Sequence, residues 1–179
     1  MPHIHTQPGE HDHTASAFII RYDGETPKML LHKHKKLGKL MQPGGHVELN
    51  ETPWQTVLHE IKEETGYSPQ QLQILQPHDR LKQISDARLH PQPASHSTHR
   101  FSAELDHYHT DINYVFVTTE LPTNKPGEGE SSELYWFTLD EIRQLTDEVT
   151  FKNIRELAIH IFTTYLATWE RVDINTFDS

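Results

Sequence analysis

Apolar residues near the start of the chain are distributed in a way that predicts a β-hairpin. Residues 15–21 form an almost continuous apolar run, which is typical of a buried strand. Asp23 and Gly24 then mark a turn, and residues 28–34 return with a strand-like composition. Residues 1–13 lack this pattern, so we expect a lead-in there and a single domain over residues 14–179.

Residues 52–66 change to helical spacing. An apolar stripe expected to face a core consists of Trp54, Val57, Leu58 and Ile61. Thr52 and Gln55 fit the two positions of a capping box, and Pro53 suits the first helical position. Gly66 fits the left-handed position after the last turn. The sequence therefore predicts a helix with defined ends.

The rest of the chain alternates between strand and helix patterns. The pattern predicts strands at residues 72–75, 112–118 and 134–138, a short helix at 139–145 and a long helix at 150–171. Residues 77–103 are rich in Pro, Ser and His, and we expect loop there, with a strand around 87–89. Strands interleaved with helices in this order predict a mixed sheet between helical layers, an α/β fold.

Composition narrows the class of protein. The length of 179 residues fits one domain, and the net charge of −10 argues against nonspecific binding to nucleic acid or acidic membranes. The absence of cysteine excludes disulfides and zinc–thiolate sites. No apolar run approaches the roughly 18 residues of a membrane span, and the polar N-terminus does not resemble a signal peptide. We therefore expect a soluble cytoplasmic protein.

Three glutamates share a face of the predicted helix that differs from the apolar stripe. Glu60, Glu63 and Glu64 fall at i, i+3 and i+4, downstream of a turn at Gly44 and Gly45. Two carboxylates roughly 6 Å apart repel by about 3 kcal/mol at an effective dielectric constant of ~20. The alternatives are a solvated acidic face and a site for a hard divalent cation, and the upstream glycines favour the cation site.

The segment from Gly45 to Tyr67 resembles the Nudix box. The fixed positions of that motif are matched by Gly45, Glu51, Glu60, Ile61, Glu63, Glu64 and Gly66. His59 stands where the family has arginine, and Tyr67 stands where it has an aliphatic residue. Residues 13–18, 37–48 and 136–142 also resemble one bacterial, MutT-like branch, in which Gln-Pro-Gly-Gly-His-Val-Glu precedes the box. The resemblance therefore covers most of the chain.

The resemblance implies an α/β/α sandwich and an enzyme that hydrolyses a pyrophosphate bond in a nucleoside diphosphate linked to another group, using Mg²⁺ or Mn²⁺. It assigns Glu60, Glu63 and Glu64 as metal ligands and adds the Gly45 carbonyl as a backbone ligand. One of Glu63 and Glu64 is alternatively the group that positions or deprotonates the attacking water. Glu51 supports the site by hydrogen bonding. The implied partner is a phosphate-containing small molecule, and a homodimer is compatible because many family members are dimers.

The substitution at His59 gives a second functional hypothesis. In the family the arginine holds the catalytic glutamates in place, and a guanidinium is always charged. An imidazole in a neutral setting is charged only below about pH 6.5. We therefore expect weaker or more pH-dependent catalysis. The alternative function is a Nudix domain that binds its ligand with weak or no turnover.

A second group of polar residues lies outside the box. His107, His109 and Asp111 would share one face of a strand. They are alternatively a polar sheet edge, a contact for substrate phosphate, or a separate transition-metal site. The resemblance favours the substrate contact. If the metal site is the main function, the protein is a histidine-rich metal binder with a vestigial box.

Two charged residues complete the candidate site. Lys39 belongs to a basic run before the box, which is either a solvated hairpin end or a region that steers an anionic substrate. The resemblance also implies a late acidic ligand, for which Glu128, Glu130 and Glu133 are candidates, and we favour Glu133. Substrate selectivity is expected from the loops at residues 77–106 and 120–132.

Overall fold

The structure, a computed structural model, describes residues 8–102 and 107–177. Its strands are β1 (His11–Asp23), β2 (Thr26–Lys33), β3 (Leu40–Met41), β4 (Gly44–His46), β5 (Gln73–Gln76), β6 (Ser95–Ser102), β7 (His107–Thr118), β8 (Leu134–Phe137) and β9 (Glu170–Asp173). Its helices are α1 (Pro53–Thr65), α2 (Leu139–Gln144), α3 (Lys152–His160) and α4 (Leu166–Thr168). The predicted lead-in at residues 1–7, part of the expected selectivity loop at 103–106, and the chain end at 178–179 lie outside the described residues.

The predicted hairpin is formed by β1 and β2, which pair antiparallel from Ile20↔Met29 to Asp23↔Thr26. Gly24 adopts φ 68° in the turn, a conformation that glycine reaches at little steric cost. The first strand is longer than predicted. It begins at His11, within the segment expected to be a lead-in, because residues 11–14 pair parallel with β7.

The sheet is mixed, as predicted. Its main path runs β3-β2-β1-β7-β5-β9, with β4 added on β1, β6 on β7 and β8 on β2. The central strands β1 and β7 run parallel over their shared length, whereas the neighbouring pairs β1/β2, β6/β7 and β5/β9 run antiparallel. Because β4 leads directly into the loop before α1, this arrangement places the glycine turn beside the start of the central strands.

Helices cover both faces of the sheet and create two cores. Successive residues of β1 alternate between them: Ala17 and Ile19 contribute to the core under α1, and Phe18 and Ile20 to the core under α2 and α3. Trp54 of α1 stacks on Phe116 of β7, with 5.9 Å between the ring centroids. These two layers of helix on one sheet confirm the predicted α/β/α sandwich.

Helix α1 has the ends that its sequence predicts. The Gln55 backbone N–H donates to Thr52 Oγ1 at 3.3 Å, and the Thr52 N–H donates to Gln55 Oε1 at 2.9 Å, which completes the capping box. Gly66 follows the last turn at φ 76°, and its N–H donates to the Lys62 carbonyl. Trp54, Val57 and Ile61 of the apolar stripe are buried, and Leu58 is partly buried.

The segment predicted as loop at residues 77–103 contains a strand in a different place. Residues 87–89 form no strand, whereas β6 pairs antiparallel with β7 from Ser95↔Asn113 to Ser102↔His107. The β6 sequence, SHSTHRFS, lacks an apolar alternation. It becomes a strand because the edge of β7 supplies backbone hydrogen-bond partners, a nonlocal cause that the local pattern does not report.

The C-terminal helical segment is shorter and less regular than the predicted helix at residues 150–171. It runs from Lys152 to Thr168 and is interrupted by a π-helical turn at Ile161–Tyr165. Within this turn the Thr163 hydroxyl donates a hydrogen bond to the Ile159 carbonyl at 2.9 Å. After the helix the chain becomes strand β9, which pairs with β5 at the edge of the sheet. This pairing takes the residues after Trp169 out of the predicted helix. In the described part of the chain, the helices lack the length and apolar character required to cross a bilayer.

Candidate functional site

A cavity of about 730 Å³ lies beside α1, and strands β1, β2, β3, β4, β6 and β7 contribute residues to its wall. The three box glutamates, Glu60, Glu63 and Glu64, all line it. Glu60 and Glu64 retain only 5% and 6% of their accessible surface, whereas the Glu63 side chain is 49% exposed. The spacing that predicted one acidic face therefore produces two buried carboxylates and one at the cavity mouth.

The glycines of β4 allow this acidic face to approach the sheet. A Cβ on Gly45 would lie 2.0 Å from Glu60 Oε1, and a Cβ on Gly44 would lie 2.6 Å from the Ala15 carbonyl oxygen. Neither space accepts a side chain without movement of a neighbour. The backbone of Gly45, a predicted metal ligand, thus lies directly against the Glu60 carboxylate.

Glu64 is held by one backbone hydrogen bond. The Gly44 N–H donates to Glu64 Oε2 at 2.8 Å, and His32 Nε2 lies 3.6 Å from the same oxygen. Burial, with a smaller effect from His34, lowers the pKa of His32 to about 4. The His32 imidazole is therefore neutral at physiological pH, and its contact with Glu64 is not an ion pair.

The two buried carboxylates have strongly altered acidity. Burial raises the pKa of Glu60 to about 7, and the charge of Glu63 adds to this effect while His59 opposes it. Burial and the charge of Glu60 hold the pKa of Glu64 well above its usual range, against the hydrogen bond from Gly44. A nearby positive charge would favour the ionised form of both carboxylates.

A hard divalent cation fits this group of ligands. Mg²⁺ and Mn²⁺ prefer carboxylate and carbonyl oxygens, and the cavity supplies Glu60, Glu63 and Glu64 next to the Gly45 backbone. The cation would also reverse the effect of burial on the Glu60 and Glu64 pKa values, since it stabilises the ionised carboxylates.

His59 bridges two glutamates on the exposed side of α1. Its Nε2 lies 3.0 Å from Glu63 Oε1, and its Nδ1 lies 3.4 Å from Glu51 Oε1. Glu51 is also held by Thr56, whose hydroxyl donates to Oε2 at 3.0 Å. Desolvation lowers the pKa of His59, but the hydrogen bond to Glu63 and the charges of Glu63, Glu51 and Glu60 outweigh it, and the pKa rises above 6.5.

The loop at residues 124–129 closes the C-terminal end of α1. The Gly127 N–H donates to the Glu63 carbonyl at 2.6 Å, and the Asn124 N–H donates to the Gly66 carbonyl at 3.1 Å. A Cβ on Gly66 would lie 2.2 Å from the Asn124 carbonyl oxygen, so the close contact requires glycine there. The contacts bring Glu130, the residue after this loop, to the cavity wall.

The two charged residues chosen from outside the box lie elsewhere. Glu133 accepts a hydrogen bond from the Tyr135 hydroxyl at 2.9 Å and lies 3.9 Å from Lys33 Nζ. Lys39 Nζ donates to the Asp147 carbonyl and lies 4.6 Å from the Phe151 ring centroid. Neither is among the described residues that line the cavity. Their neighbours Lys35, Lys36 and Glu130 do line it, which the sequence did not distinguish.

Several histidines also line the cavity. His109 lies in contact with His46 and His99, with ring centroids 5.2 Å and 5.6 Å away. Burial, followed by the effects of His46 and His99, lowers the pKa of His109 to about 3. His107 is buried beside it, 5.5 Å between centroids, but does not itself line the cavity among the described residues.

Asp111 lines the same cavity as His109, in agreement with the predicted shared strand face, but it is not part of the close group of Asp12, His107 and His109. Its Oδ1 accepts hydrogen bonds from the Thr14 and Ser16 hydroxyls, each at 2.9 Å. The acidic residue beside the histidines is Asp12, which the sequence did not single out because it lay in the expected lead-in. The available signal was the alternation of Asp12, Thr14 and Ser16, polar residues that share one face of β1.

Comparison with known proteins agrees with this geometry. The NUDIX domain profile matches residues 12–157. A protein of Lactococcus lactis subsp. cremoris (strain MG1363), named "Probable DHNTP pyrophosphohydrolase", is 28% identical over 145 residues, which cover 79% of this chain and 73% of the relative. A structure described as a hydrolase of the NUDIX family from Clostridium perfringens is 31% identical, covers 85% of this chain and 96% of its own, and has a TM-score of 0.69.

A more distant structure shares the fold alone. The binary complex of a C. elegans Ap4A hydrolase is 20% identical, covers 87% of this chain and 98% of its own, and has a TM-score of 0.63. The family profile, by contrast, spans most of the chain and includes the whole acidic face of α1. The resemblance drawn from the sequence is therefore confirmed, and the chain belongs to the Nudix hydrolase family.

Proposed function

We propose that this chain hydrolyses a pyrophosphate bond in a nucleoside diphosphate-linked or related substrate, with Mg²⁺ or Mn²⁺ bound by Glu60, Glu63 and Glu64. The observation that carries the proposal is the pair of buried carboxylates, Glu60 and Glu64, facing a cavity of about 730 Å³. Two such groups are costly to keep ionised without a cation, and folding alone has no use for them.

The bound cation would neutralise phosphate charge, polarise a phosphoryl oxygen and lower the pKa of a coordinated water. In the reaction a water oxygen forms a bond to one phosphorus, the bridging P–O bond breaks, and the bridging oxygen leaves with the other phosphate. Glu63 or Glu64 accepts the proton of the water. Glu63 is the more accessible of the two, and Glu64 is the one fixed by a backbone hydrogen bond from Gly44.

His59 and Glu51 position Glu63 on the exposed side of α1. A protonated imidazole between the two carboxylates limits the rotation of Glu63 and offsets part of the repulsion between Glu63 and Glu60. This role corresponds to that of the family's arginine, with one positive charge and two nitrogen contacts. Because the pKa of His59 is raised, the charge is available over a wider pH range than in a free imidazole.

Substrate binding is proposed for the rest of the cavity wall. Lys35 and Lys36 bring positive charge to it in an acidic protein, which suits the phosphates. His99, Arg100 and Phe101 of β6 line another part and offer planar groups on which a nucleobase-like ring can stack. The names of the relatives, DHNTP pyrophosphohydrolase and Ap4A hydrolase, indicate two substrates with which to begin.

The test is hydrolysis of a panel of DHNTP, nucleoside triphosphates, dinucleoside polyphosphates and nucleotide sugars, with the products identified by chromatography. Each reaction is run with Mg²⁺, with Mn²⁺ and with a chelator. Turnover that requires the cation and selects one substrate class supports the proposal. Turnover that persists in the chelator argues against it.

A second candidate is a domain that binds its ligand with little turnover, for which the observation is the half-exposed imidazole at position 59. Silence across the panel, together with ligand-dependent thermal stabilisation, would favour this candidate. The cytoplasmic location and the homodimer expected from the sequence stay predictions, to be checked by fractionation of the source cells and by sedimentation of the purified chain.

A further inference from the structure

A group of nitrogen and oxygen ligands outside the Nudix box lies at the start of β1 and β7. The group consists of Asp12, His107 and His109, each offering one ligand atom, and these atoms all lie within 4.8 Å of one another. All three residues are largely buried, at 6%, 2% and 9% exposure. We propose that Asp12, His107 and His109 form a second metal site, selective for a borderline divalent cation of the Zn²⁺ class.

The sheet register brings these residues together. Asp12 on β1 is the direct partner of His109 on β7, and His99 on β6 is the partner of His109 on the other side. Cross-strand partners project from the same face of a sheet, and so do residues two apart on one strand. His107 therefore joins the row that runs from Asp12 through His109 to His99. Pairing of the central strands fixes the geometry of the site before any cation binds.

The ligand spacing suits tetrahedral coordination. Ligand atoms roughly 2.0–2.2 Å from Zn²⁺ lie about 3.4 Å apart in a tetrahedron. Because the three ligand atoms are already within 4.8 Å of one another, side-chain rotations without backbone movement can close the site. The Phe101 ring stacks on both His109 and His107, with centroids at 4.4 Å and 5.1 Å, and keeps the two imidazoles next to each other.

A fourth ligand is available from the same neighbourhood. His46 Nε2 lies 3.5 Å from Asp12 Oδ2, and the His46 and His99 rings both contact the His109 ring. His46 directly follows Gly45, which lies against Glu60. The proposed site is therefore adjacent to the Nudix box and shares a cavity wall with it, but its ligand atoms are different.

The ligand chemistry separates the two sites. Two imidazoles with one carboxylate suit Zn²⁺ and similar first-row cations, whereas the all-oxygen group on α1 suits Mg²⁺ or Mn²⁺. Zn²⁺ at the proposed site would cross-link β1 and β7, the two central strands. We expect binding to raise the thermal unfolding temperature of the metal-free chain, since the unfolded chain lacks the assembled site.

The experiment uses the full chain. Bound metal is first removed with a chelator, and the chelator is then removed. Zn²⁺ is added by equilibrium dialysis in excess Mg²⁺, and bound metal is measured by elemental analysis. One tight Zn²⁺ per chain is expected. Loss of an outer-sphere partner typically weakens metal binding 10–100-fold, so loss of a ligand in Asp12→Asn, His107→Gln or His109→Gln is expected to weaken Zn²⁺ binding about 100-fold or more.

Two control variants separate this site from other Zn²⁺ binders. The double variant Glu60→Gln plus Glu64→Gln removes the box ligands, and His3→Ala plus His5→Ala removes a His-x-His pair near the N-terminus. Both are expected to keep the tight Zn²⁺. Zn²⁺ affinity that is unchanged in the three ligand variants, or that is lost in either control, would overturn the proposal.

A measurement on the wild-type chain tests the proposal even if the ligand variants do not fold. Long-range ¹H–¹⁵N spectra report each imidazole nitrogen, and Zn²⁺ is expected to shift at least two histidine spin systems at one equivalent. Co²⁺ in place of Zn²⁺ is expected to give the visible absorption of a nitrogen- and oxygen-coordinated ion. Spectra without any histidine shift at saturating Zn²⁺ would overturn the proposal independently of the variants.

Discussion

His59 Nε2 lies 3.0 Å from Glu63 Oε1, one helical turn further along α1. The contact lets a histidine occupy the position of the family's arginine while keeping a polar bridge to a box glutamate. The charge of this bridge depends on pH. The pKa of His59 is raised, so the imidazolium is fully present at low pH and is lost as the pH rises through that raised value.

We therefore expect His59→Arg to change the pH profile more than the peak rate. The kcat/KM of the wild type, divided by that of His59→Arg, should fall by about 3- to 10-fold from pH 6 to pH 9. The reason is that His59 loses its charge over this range whereas arginine does not, and a charged hydrogen bond is roughly twice as strong as a neutral one. His78→Arg is the matched control, since His78 is 70% exposed and lies 3.6 Å from Glu170. A ratio that stays constant over this pH range would show that the charge of His59 has no catalytic role.

Glu60→Gln is expected to stabilise the metal-free protein at alkaline pH. The pKa of Glu60 is raised from 4.5 to about 7 in the folded protein. The stabilisation that this raised pKa gives is therefore fully present below the unfolded pKa of 4.5 and is lost as the pH rises through about 7. Above pH 7 the wild type carries a buried charge that the amide lacks. The advantage of the variant should approach about 3 kcal/mol at pH 8, fall to about 1 kcal/mol at pH 5 and vanish below the unfolded pKa of 4.5.

Urea unfolding in a chelator measures this difference. The free energy of unfolding of the wild type is subtracted from that of the variant, because the lowered pKa values of His32 and His109 destabilise both proteins equally at acidic pH. Mg²⁺ should then reverse the order at pH 8 by stabilising the wild type more than Glu60→Gln. An advantage of equal size at pH 5 and pH 8 would contradict the assigned pKa.

Gly45→Ala is expected to remove activity while leaving the fold intact. The new Cβ would lie 2.0 Å from Glu60 Oε1, and the flexible end of the glutamate can move away. Displacement of a metal ligand by about 1 Å can cost on the order of 10²-fold in rate. Steady-state kinetics and thermal unfolding are measured together.

Gly127→Ala is the matched glycine control, because its Cβ would lie at an ordinary 3.5 Å from the Glu63 carbonyl oxygen. It should retain most of the activity. Equal activity of the two alanine variants would mean that the contact between Gly45 and Glu60 has no importance for the site.

Tyr67→Phe tests the other departure from the box pattern. The Tyr67 ring is fully buried, and its hydroxyl donates to the Glu120 carbonyl at 2.8 Å. Loss of this hydrogen bond should lower the free energy of unfolding by about 1 kcal/mol without changing kcat/KM. In Tyr135→Phe, an exposed hydroxyl bonded to Glu133 is removed, and the stability should stay nearly constant. A large kinetic effect of Tyr67→Phe would instead link this position to catalysis.

Local signals explain why much of the site could be predicted from the sequence. The caps of α1, the spacing of its glutamates and the glycines of β4 all act within a few residues of chain. Those signals gave the correct helix, and the structure brings the three glutamates to one cavity. They could not give the unequal burial of Glu60 and Glu63, which depends on how the helix is rotated against the sheet.

Nonlocal pairing explains what the sequence missed. Strands β6 and β9 form on the edges of β7 and β5, whose hydrogen-bonding groups no local pattern describes. The meeting of Asp12 with His109 depends on the register of two strands almost a hundred residues apart. That Glu130 rather than Glu133 lines the cavity depends on how the loop at residues 124–129 docks on α1.

The most direct test of the central claim compares kcat/KM for Glu64→Gln with that of the wild type on the best substrate of the panel, at saturating Mg²⁺. Glu156→Gln is the control, since Glu156 is an exposed glutamate that pairs with Lys152 on α3. Removal of this proposed metal ligand should reduce kcat/KM by about 10²-fold or more, and the control should be unaffected. Equal rates in Glu64→Gln and the wild type would contradict the assignment of the Nudix box as the catalytic site.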